Sequence, residues 1–123
     1  MKVAGIAVAF ALVGVLASGA VMADGNVLLH HCQSALQDLD GNDKNGPDYS
    51  EGYCTGVING VIALQGLTNP SLPKTQTCMP KPAIQVGQAA RIVVKYVTEN
   101  PDKLSLDDGV LVLIALQRAY PCK

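Results

Sequence analysis

Apolar residues return at three- and four-residue intervals in four separate stretches of the chain, and this spacing predicts four helices. Val27, Leu28, Cys32, Ala35, Leu36 and Leu39 share one side of a helix running from about Asn26 to Leu39. The stretch Asp40-Gly41-Asn42-Asp43-Lys44-Asn45-Gly46-Pro47-Asp48 is turn chemistry throughout and ends it. A second helix begins near Tyr49 or Ser50 and runs to about Gln65, with Tyr53, Cys54, Val57, Ile58, Val61 and Ile62 on one stripe. Gly52, Gly56 and Gly60 form another stripe of that helix. Each glycine costs about 1 kcal/mol of helix propensity, so another helix backbone is expected to approach there. Residues 66–81, with Pro70, Pro73 and Pro80, form a long connection. The third helix spans about Ile84 to Glu99, with Val86, Ala89, Ala90, Val93, Tyr96 and Val97 inward, and Asn100-Pro101 stops it. Ser105 is the expected cap of the fourth, with Asp107 and Asp108 in its first turn, where the helix dipole favours negative charge. Leu106, Val110, Leu113, Ile114 and Gln117 form one face of it, while Leu111, Val112, Ala115 and Leu116 widen the apolar surface, and Pro121 ends it. No alternating stretch predicts a strand.

Ahead of these helices lies a different pattern. Met1-Lys2 gives a short positive start, residues 3–17 are uncharged and mostly apolar, and Val21-Met22-Ala23 supplies small or modest residues at a cleavage site. Residues 1–23 therefore read as a cleaved secretory signal, and 24–123 as the mature domain. The run is short for a membrane span, which needs about 20 apolar residues, so no span is expected once the signal is removed. The mature part carries eight Lys or Arg and ten Asp or Glu, a formal net charge of −2. That balance excludes a concentrated basic surface and so argues against nucleic acid as a partner.

Export changes the meaning of the cysteines. Cys32, Cys54, Cys78 and Cys122 are even in number and lie in an oxidising compartment, expected to be the periplasm, so two disulfides are predicted. A zinc site usually needs close cysteine pairs, and none is present. Four cysteines permit three pairings. Helices joined by a short turn lie antiparallel, which places Cys32 level with Cys54 and brings Cys78 and Cys122 to one end of the other hairpin. Cys32–Cys54 and Cys78–Cys122 are the preferred bridges. The expected fold is all-α: a small four-helix domain of two antiparallel helix pairs stapled by two disulfides.

The chain offers little catalytic chemistry. His30 and His31 are adjacent, point about 100° apart on a helix, and have no zinc-binding spacing around them. The serines lie in no nucleophile motif, and no nucleophile–base pair is visible. The acidic turn fails as a calcium loop: aligning Gly46 with the glycine of an EF-hand puts Gly41 at its first position and Gly52 at its twelfth. No catalytic residues, no metal and no cofactor are expected.

Cys54-Thr55-Gly56 with Val57-Ile58-Asn59-Gly60, Cys78-Met79-Pro80, Gln88, Val93-Val94-Lys95-Tyr96-Val97, Pro101, Leu104, Ala115-Leu116 and the terminal Tyr120-Pro121-Cys122 occur in a fixed order. In these residues the chain resembles the Rap/Tai family of small periplasmic proteins, whose characterised members are immunity proteins against type VI secretion amidases. It departs in having Val57 where that family tends to have tyrosine, and Gln85 where a Ser or Thr cap is usual. The resemblance implies a non-catalytic inhibitor whose partner is a peptidoglycan amidase effector. Matched positions read as scaffold, which leaves the segments 40–48 and 69–77 for recognition. Asp40, Asn42, Asp43, Lys44 and Asn45 are the candidate partner-binding residues, since recognition groups commonly sit on loops over a rigid frame. Self-association into a homodimer is left open. The alternative is a periplasmic stress protein or holdase, similar in size and helical character to acid-stress chaperones of the HdeA type.

Overall fold

The computed structural model of the protein describes residues 24–41, 48–71 and 76–123, so the expected signal segment lies outside the described residues. The helices are α1 (Gly25–Leu39), α2 (Tyr49–Thr68), α3 (Val86–Glu99) and α4 (Asp108–Ala119), with single 3₁₀ turns at Asn69–Ser71 and Pro101–Lys103. The all-α expectation holds. Among the described residues there is no strand, only isolated antiparallel bridges joining Asp24 to Asp107 and Thr77 to Pro121.

Local chemistry sets the helix starts. The Asp24 carboxylate accepts from the amides of Asn26 (2.9 Å) and Val27 (3.2 Å), satisfying donors that the first turn of α1 leaves free. Asp48 does the same for α2 through the Glu51 amide, at 3.0 Å. The expectation for α4 is corrected. Its cap is Asp107, not Ser105, and Asp107 makes no side-chain capping bond. The Asp24–Asp107 bridge holds residue 107 in extended backbone, so the helix cannot start earlier. Helix α2 runs one turn further than expected, because the Asn69 amide still reaches the Gln65 carbonyl.

The core gathers Leu28, Cys32 and Ala35 from α1, Cys54 and Ile58 from α2, five residues of α3 and four of α4. The α3 face is the expected one, centred on Val93 and Val97. On α4 the residues that widen its apolar surface, Leu111, Val112, Ala115 and Leu116, are the buried ones, while Val110 is exposed. Contacts with α2 and α3 choose this side of a helix that is apolar nearly all round. Gly25 is also part of this packing. Its amide donates to the Leu104 carbonyl at 2.9 Å, and a Cβ there would come within 2.9 Å of Leu104 backbone and 2.7 Å of Leu111.

Two disulfides fasten the hairpins. Cys32–Cys54 joins α1 to α2 with Cα atoms 5.0 Å apart, and Cys78–Cys122 ties the connection before α3 to the C-terminal tail at 4.9 Å. By the loop-entropy model their separations of 22 and 44 residues correspond to about 3 and about 4 kcal/mol. The segment after α2 is held from both ends. Asn69 exchanges hydrogen bonds with the Thr77 backbone (2.7 and 3.1 Å), and buried Gln65 donates to the Thr77 hydroxyl at 3.2 Å.

Candidate protein-binding face

From Gly52 to Pro73 the chain contains no charged residue. Helix α2 therefore presents an uncharged side chain at every position after Glu51, on its outer face as well as its inner one. Tyr49, Gly52, Gly56, Asn59, Gly60 and Leu67 are all exposed there. The glycine stripe does not do what its spacing predicts. A Cβ at Gly52, Gly56 or Gly60 would meet nothing within 4 Å, so no helix of the described chain approaches it.

Beside this face, the C-terminal half of α2 and the start of α4 enclose a groove of about 390 Å³. Its walls are Val61 and Leu64 from α2 and Val110 and Leu113 from α4, with Asp107 and Asp108 at the start of α4 also lining it. Leu64, Leu67 and Val110 are among the large apolar side chains most exposed to solvent, Leu67 at 76%. Gln65 also lines the groove. It is 3% exposed, and its Oε1 has no hydrogen-bond partner among the described residues.

Nearer the start of α2 the face turns aromatic. The ring of His31 lies 4.7 Å from that of Tyr53 and 5.2 Å from that of Tyr49. The Tyr53 hydroxyl donates to Asp108 Oδ2 at 2.7 Å, linking α2 to α4. Burial, together with this bond to a carboxylate that favours the protonated phenol, pushes the Tyr53 pKa up to about 12. His31 Nδ1 lies 3.0 Å from Ser50 Oγ. A serine beside a histidine is a pairing that sequence reasoning missed. The described structure places no carboxylate in hydrogen-bond contact with the other nitrogen of His31, and Ser50 is buried. The pair joins α1 to α2. A signal for it was present: His31 precedes Cys32, and Ser50 stands one helical turn before Cys54, so the disulfide already implies the contact.

The structure redistributes the residues that the sequence offered for recognition. Asp40 has a structural duty beyond the turn, because its carboxylate is ion-paired with Arg91 of α3. Asn42, Asp43, Lys44 and Asn45 lie outside the described residues. In the second segment, Asn69, Gln76 and Thr77 form the hydrogen-bonded anchor of the connection, with Gln76 donating to the Asn69 carbonyl at 2.7 Å. The expectation that this segment is free of scaffold residues is corrected at its ends; residues 72–75 lie outside the described ones. No group of three or more His, Cys, Asp or Glu side chains suited to a metal occurs among the described residues. None of the described helices is long and apolar enough to cross a membrane.

Residues 24–122 match the family described as Rap1a immunity proteins. No curated protein and no solved structure matches the chain.

Proposed function

The chain belongs to the Rap1a immunity protein family, and from that premise we propose that it acts in the periplasm by binding and neutralising a type VI secretion peptidoglycan amidase. The observation that carries this reading is the family match, which runs over 24–122 and so covers every described helix. Two features of the chain support the finer points. Residues 1–23 have the composition of an export signal, and both cysteine pairs are bridged, as an oxidising compartment allows. The amidase fits a defence against damage to the wall that lies in that compartment.

Neutralisation is by occupancy. One molecule covers the active-site groove of one amidase, with no turnover of its own. An interface of ordinary size takes about 800 Å² from each partner, more than one loop supplies. The uncharged outer face of α2 is suited to be its centre, since interface cores are poor in charge and rich in tyrosine. Asp40, Asn42, Asp43, Lys44 and Asn45, in the polar stretch that precedes α2 in sequence, supply the polar rim.

The test is growth. An amidase encoded beside this gene is directed to the periplasm of a susceptible host, with and without this protein. Survival that depends on co-expression, and a stoichiometric complex from the purified pair, are the expected results. Lysis of the host regardless of co-expression, for every amidase encoded nearby, would reject the reading.

A further inference from the structure

The polar residues lining the groove between α2 and α4 are Asp107, Asp108, Gln65 and Thr68, and the Thr68 hydroxyl spends its proton on the Leu64 carbonyl at 3.1 Å. Asp107 and Asp108 bring carboxylates, and Gln65 brings a carbonyl oxygen without a partner among the described residues. The carboxylates are hydrogen-bond acceptors, the Gln65 amide nitrogen is engaged by Thr77, and no basic side chain among the described residues lines the groove. Asp108 is in use, accepting from Tyr53 and, at 2.6 Å, from the Gly109 amide. Asp107 is exposed and makes no capping bond, although it stands where a cap would be. Asp107 is therefore the acceptor that a partner can reach, since the Gln65 oxygen is itself buried. Between these acceptors the walls are the apolar side chains of Val61, Leu64, Val110 and Leu113.

A long apolar stem ending in several donors and no acceptor describes arginine, whose guanidinium carries five N–H groups and whose methylenes lie well along apolar surface. The start of α4 carries a partial positive charge of about half a unit, which two carboxylates outweigh. We propose that this groove is where the amidase docks, by an arginine side chain laid between α2 and α4 with its guanidinium at Asp107. The proposal rests on the immunity reading and deepens it by assigning the face and the chemistry of the contact.

Asp107→Asn and Leu64→Asp test it, since both side chains are exposed and neither variant disturbs the core. Lys95→Ala, on the outer face of α3, is the control. Affinity is measured by calorimetry against the amidase that the unaltered protein neutralises, at low and high NaCl. Asp107→Asn is expected to weaken binding about tenfold at low salt, with the difference shrinking as salt rises. Leu64→Asp is expected to weaken it roughly a hundredfold, while Lys95→Ala binds as the unaltered protein does. All should melt with the unaltered protein. If the unaltered protein neutralises the amidase and both groove variants bind within about twofold of it, the groove assignment falls and the immunity reading stands. If the unaltered protein neither protects nor binds, both fall. If the variants keep the amidase but lose self-association in sedimentation, the occupant is a second copy and the proposal is overturned.

Discussion

Helix α2 buries Ser50, Cys54, Ile58 and Gln65, and α3 buries five residues from Ala89 to Val97, but the sharper difference is on the outside. The outer face of α3 carries Arg91, Lys95 and Glu99; Arg91 is paired with Asp40 across to the end of α1, and Lys95 lies 4.0 Å from Glu99 one turn on. These charges keep the face in water, and their partners belong to the same chain. The outer face of α2 carries tyrosine, glycine, asparagine and leucine and no charge after Glu51. Nothing in the described fold covers it. Surface that is neither charged nor packed is characteristic of a docking site. The contrast separates the two helices: α3 is solvated by its own charges on the outer side, and α2 offers there the surface proposed above for the partner.

Glycine substitution is the strongest way to break that contrast. With open space beside Gly52, Gly56 and Gly60, alanine at each should stabilise the helix, by up to about 1 kcal/mol per site and about 2–3 kcal/mol for the triple variant. Gly25→Ala should do the reverse, costing about 1–3 kcal/mol by forcing a methyl into Leu104 and Leu111. Urea unfolding of the two variants measures both. A triple variant less stable than the unaltered protein would show that the α2 face is already packed, and the contrast with α3 would be lost.

Much of this was legible in the sequence. The inner faces of α1, apart from exposed Leu39, and of α3 follow from residue spacing, because each has a polar side to set its phase; on α2 the expected stripe is buried at Cys54 and Ile58, with Ser50 and Gln65 beside it. Both disulfides follow from the hairpin geometry. The inner face of α4 was not legible, since residues 110–116 are apolar without a break and periodicity then has no phase to read. Spacing marked the glycine stripe but could not tell an internal neighbour from an external one. Asp40 was misassigned as a free turn residue because its partner Arg91 lies 51 positions away. The groove was out of reach for the same reason: its walls come from two helices that only the fold brings together.

A tyrosine on each helix reaches α4, and the two contacts sharpen the comparison. Tyr96 of α3 is 7% exposed and lies with its ring 5.2 Å beneath the Arg118 guanidinium. Tyr53 of α2 uses its hydroxyl, donated to Asp108. A folded-state pKa of about 12 against an ordinary 10.0 means that folding favours the protonated phenol. Its stabilisation is complete below about pH 10 and is lost as pH rises through about 12. Tyr53→Phe should cost about 1 kcal/mol at neutral pH. It should also remove a phenol that ionises at about pH 12 when phenolate absorbance is followed to alkaline pH. An unchanged titration would show that the Tyr53–Asp108 bond does not persist in solution, and with it the link between α2 and the start of α4.

The smallest effect separates the two uses offered for Asp40. Its ion pair with Arg91 is half exposed on both sides, 54% for Arg91 and 51% for Asp40, and pairs of that kind contribute about 0–1 kcal/mol. Asp40→Ala and Arg91→Ala break the same pair, so their melting temperatures should fall equally and little. Binding to the amidase need not fall equally. If the Asp40 carboxylate belongs to the polar rim of the interface, its removal deletes a contact, whereas removal of Arg91 frees that carboxylate for the partner. Asp40→Ala should then weaken the complex by severalfold, while Arg91→Ala leaves it unchanged or tightens it. Equal losses in both variants would mean that the pair only positions the turn. Recognition on that side would then rest with Asn42, Asp43, Lys44 and Asn45, and alanine at those four positions becomes the experiment that decides whether the rim contributes at all.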